Sequence, residues 1–110
     1  VDDPGQEQPV SLFAVHREAG EAWVDGQGAF DQAGMGDHAA FMTGLAGEGF
    51  VRFAGPLDGT ENGRIRVLLI ADAADEAEVL ERLAADPWER TDRIKTTSIE
   101  PWTLLVGTLA

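Results

Sequence analysis

Two histidines, His16 and His38, stand in a chain of 110 residues that has 20 acidic side chains and no cysteine. A histidine beside a carboxylate is a simple device for moving a proton near neutral pH. The acid holds one ring nitrogen and leaves the other free to accept or donate. His38 is the better placed of the two. With Phe41, Met42 and Leu45 it follows the i, i+3, i+4, i+7 spacing of one helical face, and Asp37 precedes it as a helix N-cap. Asp86, in the pair Asp86-Pro87, is the acid that could orient it. A capped, partly buried histidine packing beside Phe41 and Met42 would explain the same residues without any chemistry. Other chemistries lack their residues. No cysteine means no thiolate zinc site, no cysteine nucleophile and no disulfide. Gly26-x-Gly28 is followed by Asp31 where a dinucleotide loop needs glycine. There is no HExxH pattern, no serine elbow and no metal-ligand spacing, so neither metal nor cofactor is expected.

The elements that must bring residues 38 and 86 together follow from periodicity. Val10 to Val15 reads as a strand ending near His16 or Arg17. Residues 18–36 are a long glycine-rich loop holding Trp23 and Phe30. A helix is expected over 38–48 and a strand over 50–56, ended by Gly55-Pro56. Asp58-Gly59 and Asn62-Gly63 are turn signals before a strand over 63–71. Asp72 can cap a second helix over about 74–85, with Ala77, Leu80, Leu83 and Ala84 inward. Asp86-Pro87 closes it, because the residue before proline is pushed out of the α region. A last strand starts near Asp92. Residues 1–9 read as a flexible tail and 10–110 as one domain. The order β-α-β-β-α-β implies a ferredoxin-like α+β fold: a four-stranded antiparallel sheet with two helices on one face.

Chain direction then collects His16, Arg17, His38, Gly55, Pro56, Arg64, Asp86 and Trp88 at one end of the domain. Strand alternation puts Phe53, Val67, Leu69 and Ile94 under the helices. It puts Arg52, Ala54, Arg64, Arg66, Arg93, Lys95, Thr97 and Ile99 on the open face. Two such faces paired in a homodimer would enclose a barrel whose cations attract a small anionic molecule, with Arg52, Arg64 or Arg66 gripping its carboxylate. Ordinary solvated alternation, with each arginine paired to a cross-strand acid, explains the pattern equally well. The formal net charge of −12 argues against nucleic acid and against an anionic membrane as partner. The longest apolar run, Val67–Ala71, cannot span a bilayer, and with no secretory signal visible a cytoplasmic location is expected.

Several stretches together resemble the YCII-related family. They are Ala14-Val15-His16-Arg17 with Trp23; Asp37-His38-Ala39-Ala40-Phe41-Met42 followed by Leu45 and Gly49; Ala54-Gly55-Pro56-Leu57; Ala85-Asp86-Pro87-Trp88; and Glu100-Pro101-Trp102. The resemblance covers roughly residues 12–103. It implies a ferredoxin-like fold that dimerises as an α/β barrel. It also implies an active centre of one histidine and one aspartate, here His38 and Asp86. Relatives include muconolactone isomerases and chloromuconolactone dehalogenases. The resemblance therefore implies cofactor-independent acid–base chemistry of isomerase, lyase or dehalogenase type on a small carboxylate or lactone. The alternative is a non-catalytic dimeric protein that binds a small ligand or serves as a scaffold.

Overall fold

Alternating side chains set up four strands, β1 (Leu12–Ala19), β2 (Val51–Pro56), β3 (Arg66–Asp72) and β4 (Ile94–Trp102), in a computed structural model that describes residues 11–57 and 64–109. They form one antiparallel sheet in the order β2-β3-β1-β4. Three helices, α1 (Met35–Gly47), α2 (Glu76–Ala84) and the single turn α3 (Pro87–Arg90), complete the ferredoxin-like arrangement. The expected tail 1–9, the strand start at Val10 and the turns at Asp58-Gly59 and Asn62-Gly63 lie outside the described residues. No helix among the described residues is long and apolar enough to cross a membrane.

Register decides which side chains meet the helices. Phe13 lies opposite Ala71, Val15 opposite Leu69 and Ile99, and Arg17 opposite Val67 and Thr96. This face packs with Leu45 of α1 and with Val79 and Leu83 of α2 in the main core. Val15, Leu69, Val79 and Leu83 are fully buried, each contributing about 1.5–3 kcal/mol relative to exposure. A smaller core joins Ala19, Trp23, Ile65, Trp88 and Ile94 at the end of the domain where α1 begins.

The strand alternation fails in two places, and each failure has a bulge behind it. Register shifts between Val51 and Phe53, so Phe53 pairs with Ile70 and turns to the open face, where it is 51% exposed. Ala54, expected on the open face, pairs with Leu69 on the covered one. A second shift, opposite His16 and Arg17, moves Ile99 under the helices beside Val15. An extra residue reverses every later side chain in its strand.

Helix boundaries differ from expectation too. The N-cap of α1 is Gly34 rather than Asp37. Gly34 has φ +80, and a Cβ there would lie 3.4 Å from the Trp88 indole nitrogen, so the backbone turns where a side chain would be strained. The α2 cap is Asp75 rather than Asp72, with Asp75 Oδ1 accepting from the Glu78 N–H at 2.9 Å. The cap moves the inward stripe of α2 to Val79 and Leu83, leaving Leu80 half-exposed.

Candidate active site

The single turn α3 exists because of Asp86-Pro87. Pro87 takes a first-turn position that needs no N–H, and Asp86 Oδ1 accepts from the Trp88 N–H at 2.9 Å as N-cap. That geometry aims the carboxylate inward, where it is fully buried. A buried charge survives only if it is paired and hydrogen-bonded. Three elements supply the partners. Arg17 of β1 donates from Nη2 to Asp86 Oδ2 at 2.9 Å, and α3 gives the Trp88 N–H. His38 of α1 places Nδ1 2.9 Å from both carboxylate oxygens. An ionised carboxylate only accepts, so Nδ1 carries the hydrogen and Nε2 is left as the free nitrogen.

Burial pushes the Asp86 carboxyl up. The His38 hydrogen bond, the Trp88 N–H and the Arg17 guanidinium outweigh it and hold the group below the usual carboxylate range. A depressed folded value means that Asp86 stabilises the fold above its unfolded value, about pH 3.9, and that this contribution disappears as pH falls through the folded value. Urea melts of wild type and Asp86→Asn should therefore differ most at pH 7, with the gap closing below about pH 4. A gap of constant size down to pH 2 would contradict this account.

Behind the imidazole lies a wall built by the glycine-rich loop. The Trp88 ring stacks on His38 at 4.0 Å between centroids and 10° between planes. Trp23 meets Trp88 edge-on at 5.7 Å, and the Trp88 indole N–H donates to the Ala33 carbonyl at 2.9 Å. Buried Gln32 ties the loop to itself, accepting from the Val24 N–H and donating to the Val24 and Gln27 carbonyls. Gly20 lets the loop approach β4: an added Cβ would come within 2.3 Å of the Asp92 carbonyl oxygen.

In front of His38, between α1 and edge strand β2, opens a cavity of about 310 Å³. Helix α1 contributes Met35, His38, Met42 and Thr43, and β2 contributes Ala54, Gly55 and Pro56. Ile65, Val67 and Ile94 form the floor, with Arg17 among them. The expected residues Arg17, His38, Gly55, Pro56 and Asp86 thus gather at one place, and Trp88 supports the ring from behind. Four other candidates lie elsewhere. His16 points to the open face and bonds Ser98 Oγ at 3.1 Å, because alternation sets it opposite to Arg17. Arg52 pairs with Asp72 at 3.4 Å, at the far end of the sheet. Arg64 precedes β3 and pairs with Asp25 at 2.6 Å. Arg66 is exposed across from Glu18. Arg93 likewise leaves the open face, donating to the Ala22 carbonyl and Gln32 Oε1. Of the five cations expected on the open face, Arg66 and Lys95 stand there on either side of Glu18, while Arg64 and Arg93 turn to the loop and Arg52 pairs with Asp72.

Sequence reading missed Glu89. Its Oε2 accepts from Arg17 Nη2 at 3.0 Å and from Thr96 Oγ1 at 2.6 Å. A polar chain therefore runs Thr96, Glu89, Arg17, Asp86, His38. The spacing of Asp86 and Glu89 on one turn was its only signal. Among the described residues, no group of three or more histidine or acidic side chains could hold a metal.

The family model described as the YCII-related domain matches residues 11–103. No curated protein matches the chain by sequence. Among solved structures, the chain is similar to 5-chloro-2-hydroxyhydroquinone dehydrochlorinase from Burkholderia phenoliruptrix, in complex with 2,5-dihydroxybenzoquinone. The TM-score is 0.56 at 21% identity, covering 84% of this chain and 93% of that one. At that identity the likeness concerns the fold.

Proposed function

The chain belongs to the YCII-related domain family, and on that premise we propose that it is a cofactor-independent enzyme moving a proton on a small ring compound, of the lactone, carboxylate or hydroxyhydroquinone kind, the last reacting through its keto tautomer. One observation carries the reading. His38 has Nδ1 saturated by Asp86, and its ring lines a cavity of about 310 Å³. His38 Nε2 removes a proton from carbon next to a carbonyl, and Asp86 stabilises the imidazolium that results. Returning the proton to a different carbon gives isomerisation. If a halide stands on the neighbouring carbon, the C–H pair becomes the new double bond and the halide leaves with its bonding pair. Both outcomes are redox-neutral and require only a proton carrier. The similar protein named above is a dehydrochlorinase, an enzyme that removes HCl, which supports the second outcome.

The partner reading is a homodimer. The open sheet face presents half-exposed Phe53 beside Leu68 and Ile70, around a hollow of about 250 Å³, and a second copy would cover it. The competing scaffold role would need His38 sealed from solvent, whereas its side chain is 14% exposed at a cavity wall. The test is proton exchange. In D₂O, the wild-type chain should catalyse deuterium incorporation next to the carbonyl (or the enol carbon that becomes one) of at least one member of a panel of five-membered lactones and chlorinated hydroxyhydroquinones, followed by NMR. No exchange above the uncatalysed rate across that panel would reject the proposal.

A further inference from the structure

We infer that the cavity selects uncharged ring compounds over carboxylates, and that Glu89 sets this preference by cancelling the charge of Arg17. The inference rests on the cavity being the ligand site and narrows the substrate class proposed for it. Arg17 is the one lysine or arginine in the cavity lining among the described residues. Its Nη2 already donates to two carboxylates, Asp86 at 2.9 Å and Glu89 at 3.0 Å. The Arg17 guanidinium itself keeps Glu89 in place, and Thr96 Oγ1 donates to the same Glu89 oxygen at 2.6 Å. Two negative charges thus surround one positive charge. With neutral His38 the group is a net anion, and an entering carboxylate meets repulsion rather than a clamp. The apolar walls of Met35, Met42, Ile65 and Val67 weaken solvent screening of that repulsion.

A neutral oxygen fares better. Arg17 Nη1 donates only to the thioether of Met42, at 3.6 Å, and sulfur is a weak acceptor. A carbonyl or hydroxyl oxygen can replace the sulfur and gain a charge-assisted bond without adding charge. Arg17 Nε, buried with no hydrogen-bond partner among the described residues, marks the same guanidinium as incompletely satisfied. Without Glu89, Arg17 and Asp86 would balance and this discrimination would fade. Glu89 is therefore a specificity-setting residue that acts through Arg17.

The chain has two methionines, and both line the cavity. Methyl-¹³C methionine NMR thus reads cavity occupancy directly. Benzamide and benzoate, near-isosteric rings that differ in charge, are titrated at pH 7. Both methyl signals should shift with benzamide, and benzamide should bind about tenfold tighter than benzoate, the size of one partly screened unit charge. Glu89→Gln, which keeps the shape, should narrow the ratio to about twofold or less. Thr96→Ala removes a bond to Glu89 but no charge, and should leave the ratio near the wild-type value. Benzoate binding as tightly as benzamide to the wild type overturns the charge selection while leaving the cavity as the ligand site. An unchanged ratio in Glu89→Gln, or an equal change in Thr96→Ala, also overturns it. Silence of both methyls to both rings overturns this inference together with the cavity reading itself.

Discussion

Arg17→Met should cost about 3–5 kcal/mol of folding stability, the range for removing one partner of a buried ion pair. Methionine keeps the length and apolar stem of arginine, so the loss reports charge rather than packing. The substitution leaves the Asp86 carboxylate, fully buried, with His38 and the Trp88 N–H alone. The Glu89 arm contributes little, because that side chain is 18% exposed and water can replace the guanidinium there. Neutralising the stranded acid should recover part of the loss, so Arg17→Met combined with Asp86→Asn should be more stable than Arg17→Met alone. Chemical denaturation at pH 7 measures both. A cost below about 1 kcal/mol, the ceiling for a solvent-exposed pair, would mean that Arg17 and Asp86 are hydrated in solution and that the polar chain is not closed to water.

His38→Ala should lower turnover of any exchanged substrate by about 10²–10⁴-fold, the usual worth of a positioned acid–base group. Its effect on KM should be small, because the methionines and β2 remain to bind the ring. Asp86→Asn should fall in the same direction by a different route. The amide offers no negative charge to the imidazolium and can present its NH₂ to Nδ1, which favours the wrong tautomer. Because Asp86 also anchors Arg17, its variant must be assayed where circular dichroism shows it folded. The two defects should not multiply in the double variant, since both act on one proton transfer. Turnover by folded His38→Ala within tenfold of wild type would remove the imidazole from the reaction.

The fold was readable in the order of elements because βαββαβ leaves few ways to cover one sheet face. His38 and Asp86 were readable as a pair because an apolar helical stripe and an Asp-Pro signal place them at the same end of that layer. Arg66 was placed correctly on the open face, whereas Arg52, Arg64 and Arg93 were misplaced for a physical reason. Strict alternation cannot anticipate a bulge, and one inserted residue in β2 turned Phe53 out and Ala54 in. Alternation also says nothing about residues beyond a strand, which is where Arg64 and Arg93 lie. Glu89 escaped notice because its partners, Arg17 and Thr96, sit on β1 and β4 and only the β1–β4 register brings them together. The glycine-rich loop read only as a long connection holding Trp23 and Phe30. Its work is to carry Trp23 and the Ala33 carbonyl to Trp88.

The stacked rings of His38 and Trp88, 4.0 Å apart, also make the protein its own optical indicator. Excited indole is quenched by a protonated imidazole in face contact and much less by a neutral one. With Trp23 and Trp102 replaced by phenylalanine, a molecule entering beside His38 should therefore register in the ultraviolet emission of Trp88 without any added dye.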